Sequence, residues 1–293
     1  MGTSIQAGQS LSGERFLLVN PQLGTSRGGG PYLRCLLRNA ASQVAGRCWS
    51  FDVQRLRSLQ DAPVVEVDGH VVDWQGAAQV NIESIEAVDV DRDELLSLMP
   101  VTSSDVGLMF REVRALLLSI ECPGLRALAE AFLDDDPLMS RFREAPAGIR
   151  KHHAWIGGLL EHTLQVMRLA DRICSLYAET EISIDRDMLM LGAFLHDLGK
   201  TSELDWSRGF TYTRQGDLVG HIVIGASLID EKVGEAELAG GVPLEPERVQ
   251  HLIHLVLSHH ERPEYGAARP PLTPEAHVLC QIDRLDATLH LVD

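Results

Sequence analysis

The period of the hydrophobic pattern changes near Val90, and this change constrains the chain more than any other feature. Before it, apolar residues alternate with polar ones in short runs; after it, they recur three and four residues apart. A period-2 pattern does not settle as a helix, nor a period-3.6 pattern as a strand, so one uniform fold is excluded. The 293 residues suffice for two domains. We expect a small β domain over residues 1–90 and a helical region over 91–293, its catalytic core at about 150–293.

In the first part, ERFLLVN reads as a strand stopped by Pro21 and a Gly24–Gly30 stretch. PYLRCLLRNA and VAGRCWSF follow as a pairing. The Val-rich run APVVEVDGHVVDWQGAAQVNIESIEAV adds alternation, a turn at Asp68–Gly69 and a break at Gly76. Several short strands with turn signals between them predict a closed sheet such as an OB-like barrel; an SH3-like barrel reads similarly. Beyond Val90, Ser and Asp residues open a series of amphipathic segments, with GFTYTRQGDLVG predicted as a hairpin around Gln215–Gly216. The fold class is α+β in two domains: an amino-terminal all-β OB-like barrel followed by an all-α bundle.

The formal charge of −16 argues against a broad basic clamp for nucleic acid. It is unevenly spread, with a net of −2 over residues 1–90 and −14 over 91–293. No apolar run reaches membrane-spanning length and no basic-then-apolar leader opens the chain, so no membrane partner is expected. The 5 cysteines are widely spaced without a CxxC pair, which fits buried thiols and a cytoplasmic location.

The 12 histidines point to the chemistry, because all but His70 fall between His152 and His290. His196–Asp197 sits in the apolar string FLHDLGK, where a buried ionisable pair is costly unless paired or metal-bound. His162 shares an apolar stripe with Val166, Leu169 and Ile173, and Asp283 lies between Leu279 and Ala287 at helical spacing. His221 opens a helix and His259–His260 ends one. Each position has an ordinary structural explanation, but together they supply the mixed imidazole and carboxylate donors of a transition-metal site.

The order His162, His196–Asp197, Asp283 resembles the H…HD…D arrangement of HD-domain metal-dependent phosphohydrolases, an all-helical family. The longer strings HHAWIGGLLEHT, LHDLGK, GHIVIG, HLVLSHH and IDRLDA resemble the HD domain of YhaM-type 3′–5′ exoribonucleases, in which an OB-fold domain precedes the HD domain. The resemblance implies His162, His196, Asp197 and Asp283 as ligands of a first ion. It implies His221 and His259, with His260 as the alternative, as ligands of a second, bridged by Asp197. Two divalent ions are implied, Mn²⁺ first, with Fe²⁺, Co²⁺ or Zn²⁺ equally compatible with the donors. Gly158 stands where some relatives carry a Glu ligand, so no third ion is expected. Lys200, one of only 3 lysines, is expected to act on the substrate phosphate beside Asp197. Lys151, His152 and His153 are expected to line the substrate entrance, while His251, His254, His277 and His290 have no ligand or entrance counterpart and are expected to be structural or surface residues.

On the barrel, Tyr32, Trp49, Phe51 and Trp74 are candidate base-stacking platforms, with Arg34, Arg38, Arg47, Arg55 and Arg57 nearby in sequence. The reading that follows is a 3′–5′ exonuclease that hydrolyses single-stranded RNA to nucleoside 5′-monophosphates by metal-activated water. DNA as a substrate and a homo-oligomeric state are left open. The alternative with the same chemistry is a phosphohydrolase of a small nucleotide with a regulatory barrel, and a silent binding module is the alternative from another class.

Overall fold

Five strands close into a barrel: β1 (Ser10–Thr25), β2 (Pro31–Arg38), β3 (Gln43–Trp49), β4 (Val64–Trp74) and β5 (Ala77–Val88), in the order β1-β2-β3-β5-β4. The computed structural model that shows this describes residues 4–26, 28–149, 153–207, 209–238 and 242–290. Within the barrel, among the described residues, the β3–β5 pairing is parallel and the others are antiparallel. β1 closes the barrel because its first half pairs with β4, from Ser10↔His70 to Leu17↔Val64, and its second half with β2, from Leu17↔Arg38 to Thr25↔Pro31. The expected stop at Pro21 is therefore wrong. A bulge between Val19 and Gln22, with Asn20 at φ 52°, takes the proline out of the ladder and bends the strand instead of ending it.

Asp68–Gly69 is likewise a bulge within β4 and not a turn. Glycine is needed there because a Cβ would lie 2.3 Å from the Asn81 carbonyl oxygen. The chain reverses at Gln75–Gly76, both with positive φ (57° and 83°), as a tight hairpin between right-twisted strands requires. Alternate residues, including Phe16, Leu33, Leu37, Val65, Val67, Val80 and Ile85, fill the barrel interior. The helix α1 (Leu56–Asp61), between β3 and β4, adds Leu59 to that core.

The chain divides into two units, Met1–Val101 with Ser207–Gly209, and Thr102–Trp206 with Phe210–Asp293. The short helix α2 (Arg92–Leu98) thus belongs to the barrel unit. The second unit holds α3 (Val106–Leu118), α4 (Pro123–Leu133), α5 (Asp136–Glu144), α6 (Gly158–Tyr177), α7 (Arg186–Leu195) and α8 (Lys200–Glu203). After a two-stranded pairing of β6 (Leu204–Asp205) with β7 (Thr211–Tyr212) come α9 (Arg214–Val219), α10 (His221–Leu238), α11 (Pro246–Ser258) and α12 (Pro274–Leu289). The hairpin expected around Gln215–Gly216 is corrected by this order: those residues are helical, with Thr213 capping α9.

Aspartates set several helix starts, since Asp105, Asp135 and Asp185 each accept a hydrogen bond from the backbone N–H three residues on. Such a cap is worth about 1 kcal/mol. The run Asp134–Asp136 is used in this way, and Asp135 also pairs with Lys232 at 2.8 Å. α7 is buried from Met188 to Leu195, which explains its continuous apolar run, and Phe194 meets Phe132 and Phe142 edge-on. All five cysteines are free thiols, with Cys35, Cys48, Cys174 and Cys280 buried. No described helix is long and apolar enough to cross a membrane.

Candidate metal centre

Five helix ends or faces of the second unit deliver the predicted side chains to one place. His162 comes from the buried face of α6, and His196–Asp197 from the turn where α7 ends. His221 is the first residue of α10, His259 and His260 follow α11, and Asp283 lies on α12. His162, His196, Asp197 and His259 are at most 2% exposed.

The donors form two groups that share Asp197. His162 Nε2 lies 3.1 Å from His196 Nε2, 3.2 Å from Asp283 Oδ1 and 3.5 Å from Asp197 Oδ2. Ligand atoms about 2.0–2.1 Å from one ion stand roughly 3.0–3.4 Å apart, so these spacings suit a shared cation. On the other side, Asp197 Oδ1 lies 3.5 Å from His221 Nε2 and 3.6 Å from His259 Nε2. Asp197 Oδ1, His221 Nε2 and His259 Nε2 are buried with no hydrogen-bond partner. Three buried polar atoms left unsatisfied around one point would be costly without a cation between them. His260 joins Asp197, His221 and His259 within one ligand-sized cluster, so the geometry accommodates both members of the His259–His260 pair instead of forcing a choice.

Each central imidazole is tied at Nδ1, which leaves Nε2 facing inward. His162 Nδ1 donates to Asp286 Oδ2 at 2.7 Å and His221 Nδ1 to Glu203 Oε1 at 2.9 Å. His196 Nδ1 donates to the Ala193 carbonyl and His259 Nδ1 to the Val256 carbonyl, each at 2.7 Å. An acceptor on one ring nitrogen fixes the tautomer and orients the other toward a metal. Asp286 and Glu203 were not among the predicted residues. Asp286 carried a weak signal, one turn beyond Asp283 in IDRLDA, whereas Glu203 carried none.

Electrostatics without the ions reflect the crowding. Burial works against charge on His162, but hydrogen bonds to Asp283 and Asp286 outweigh it and push its pKa up to about 9. Burial dominates at His196, pushed down to about 4, and at His260, down to about 3 with His259 adding to it. Burial also opposes the Asp197 charge, yet Lys200 and the surrounding histidines hold its carboxyl well below the usual range. Lys200 Nζ donates to Asp197 Oδ2 at 2.7 Å, and that carboxylate raises its pKa against the effect of burial.

The predicted entrance residues fare differently. Lys151 and His152 lie outside the described residues. His153 is corrected, because it is 1% exposed and its Nε2 donates to Asp286 at 2.9 Å, with its ring 4.0 Å from that of His290. It is therefore not at a solvent-facing entrance. Gly158 has no room for a side chain, since a Cβ would meet the His153 carbonyl oxygen at 2.0 Å. His251 and His254 bind Thr273 and the Leu272 backbone, away from the cluster.

On the barrel, Tyr32 faces Trp49 across β2 and β3 with ring centroids 4.9 Å apart, and Trp49 is 51% exposed. The Arg47 guanidinium lies 5.5 Å from the Tyr32 ring, and Arg34 pairs with Arg47 in register. Arg38 shares that face but stands six residues along β2 from Tyr32, about 20 Å away. Phe51 is buried in the barrel core and is no platform, whereas Trp74 is exposed at the β4–β5 reversal.

Residues 159–288 match the HD domain family model. Three proteins named 3′-5′ exoribonuclease YhaM, from Listeria monocytogenes strains CLIP80459, F2365 and EGD-e, are each 32% identical to the chain over 287 residues. The similarity covers 95% of this chain and 86% of each relative.

Proposed function

The chain belongs to the YhaM 3′-5′ exoribonuclease family, and from that membership we propose that it is a metal-dependent 3′–5′ exonuclease removing nucleoside 5′-monophosphates from single-stranded RNA. The observation that carries the reading is the convergence of His162, His196, His221 and His259, each by Nε2, on the two oxygens of Asp197. The donor set fits two ions, with Asp283 completing the first and His260 the second. Mn²⁺ is our choice among the ions that suit mixed imidazole and carboxylate donors. When bound, such ions act as Lewis acids on the scissile phosphate and lower the pKa of water.

The chain's own residues supply the rest. Asp197 would hold both ions, with Oδ2 facing His162 and His196 and Oδ1 facing His221 and His259. Lys200, its side chain 11% exposed, keeps an ammonium beside Asp197 where a phosphate oxygen gaining charge can be met. Buried walls around His162 and His196 exclude bulk water and strengthen these interactions. The Tyr32–Trp49 pair, with Arg34 and Arg47, is our candidate surface for gripping the strand by stacking and phosphate contacts. A cytoplasmic location agrees with the free thiols and the RNA substrate.

Purified protein incubated with Mn²⁺ and 5′-labelled single-stranded RNA bearing a free 3′-OH tests the reading. The expected result is a ladder of products shortened from the 3′ end, with release of 5′-mononucleotides and complete inhibition by chelator. Intact RNA alongside rapid turnover of small nucleotides would overturn it. The same assay with DNA decides whether the 2′-hydroxyl is required.

A further inference from the structure

The four inward-facing histidines are not held alike. Of the two histidines that face Asp197 at each proposed position, one is tied by a backbone carbonyl, His196 to Ala193 and His259 to Val256. The other is tied by a buried carboxylate, His162 to Asp286 and His221 to Glu203. Asp286 is 3% exposed and Glu203 8%. Neither carboxylate is placed as a ligand through these contacts, because each meets the Nδ1 edge of its ring, opposite the Nε2 that faces Asp197.

Both carboxylates are themselves held in place. Asp286 Oδ2 accepts from His153 Nε2 as well as from His162 Nδ1, so the strained His153 (φ 51°) is the second support of this acceptor. Glu203 Oε1 accepts from both the backbone N–H and Nδ1 of His221, which fixes the start of α10 and the ring it carries in one contact.

We propose that Asp286 and Glu203 are positioning residues, one for each ion: Asp286 sets the tautomer and basicity of His162 at the first position, and Glu203 those of His221 at the second. This rests on the two-ion reading above. A carboxylate behind a ligating histidine raises its donor strength, and removing such a partner weakens metal affinity by about 10–100-fold. A backbone carbonyl cannot be removed by substitution, so the two carboxylates are the points at which each ion's affinity can be changed without touching a ligand.

The test is titration of metal-free full-length protein with Mn²⁺ by calorimetry, for the wild type, Asp286→Asn and Glu203→Gln, each also combined with His162→Ala or His221→Ala. Asn and Gln keep the size and an acceptor oxygen, and the melting temperature of the metal-free protein checks the fold. We expect each single variant to weaken one of two binding steps by about 10–100-fold and leave the other within about threefold. Asp286→Asn should add nothing once His162 is gone, yet keep its full effect beside His221→Ala, with the converse for Glu203→Gln. A purely structural role would lower the melting temperature without this dependence on the paired histidine. Should Asp286→Asn fail to fold, Glu203→Gln makes the same test at the other ion. Wild-type affinities in both variants, or effects undiminished after the paired histidine is removed, would overturn the inference while leaving the metal reading intact. A wild type that takes up no Mn²⁺ overturns both.

Discussion

Both oxygens of Asp197 are committed, Oδ2 toward His162, His196 and Lys200 and Oδ1 toward His221 and His259. Asp197→Ala therefore removes a donor from both proposed ion positions at once and takes away the carboxylate that Lys200 pairs with. Hydrolysis of RNA is expected to fall by at least about 10³-fold, the upper range for loss of one electrostatic group. Single-strand affinity, measured by fluorescence anisotropy, should stay within about twofold if the barrel face is the main grip; parallel loss of binding would place that grip elsewhere. This residue was legible because an ionisable pair inside FLHDLGK demands a partner wherever the helix packs. His153 was placed at the substrate entrance from its match to the HH of the family string, whereas its buried ring meets Asp286, a contact that the string does not reveal.

At the scale of elements, the site depends on how closely the ends of its helices approach. Gly199, between Asp197 and α8, lies against the start of α10, where a Cβ would be 2.1 Å from the His221 carbonyl oxygen and 2.8 Å from the Gly225 nitrogen. Both obstacles are backbone, so no side-chain rotation relieves them. Gly199→Ala must push α10 outward and carry His221 with it. We expect a loss of about 1–3 kcal/mol in stability by denaturant unfolding, together with weaker Mn²⁺ binding. A variant with unchanged unfolding midpoint and metal affinity would show that this close approach is not required. The helix positions were readable from apolar spacing and Asp caps, but the element ends were less so. Pro21 marked a bend within β1 and Gly216 a packing contact within α9, because glycine and proline report a local constraint without saying whether the chain stops there.

For the whole molecule, the charge of −16 means that local features must supply the attraction to a polyanion. The paired Tyr32 and Trp49 with Arg34 and Arg47 are the feature we propose for this on the barrel, and base stacking on one aromatic is worth about 1–3 kcal/mol. Tyr32→Ala combined with Trp49→Ala is expected to raise KM for a 20-nucleotide RNA about tenfold or more, with kcat little changed. A fall in kcat at unchanged KM would mean that this face does not bind the strand. The sequence by itself determined the two textures, the barrel before the bundle and the side chains able to bind metal, because burial periodicity and donor chemistry are properties of residues in order. Only the tertiary structure decided which nitrogen each histidine presents, that His259 and His260 both reach the cluster, and that Asp286 and Glu203 stand behind two of the rings. Those contacts join residues up to 133 positions apart, as between His153 and Asp286, and their partners are chosen by packing, which no local pattern encodes.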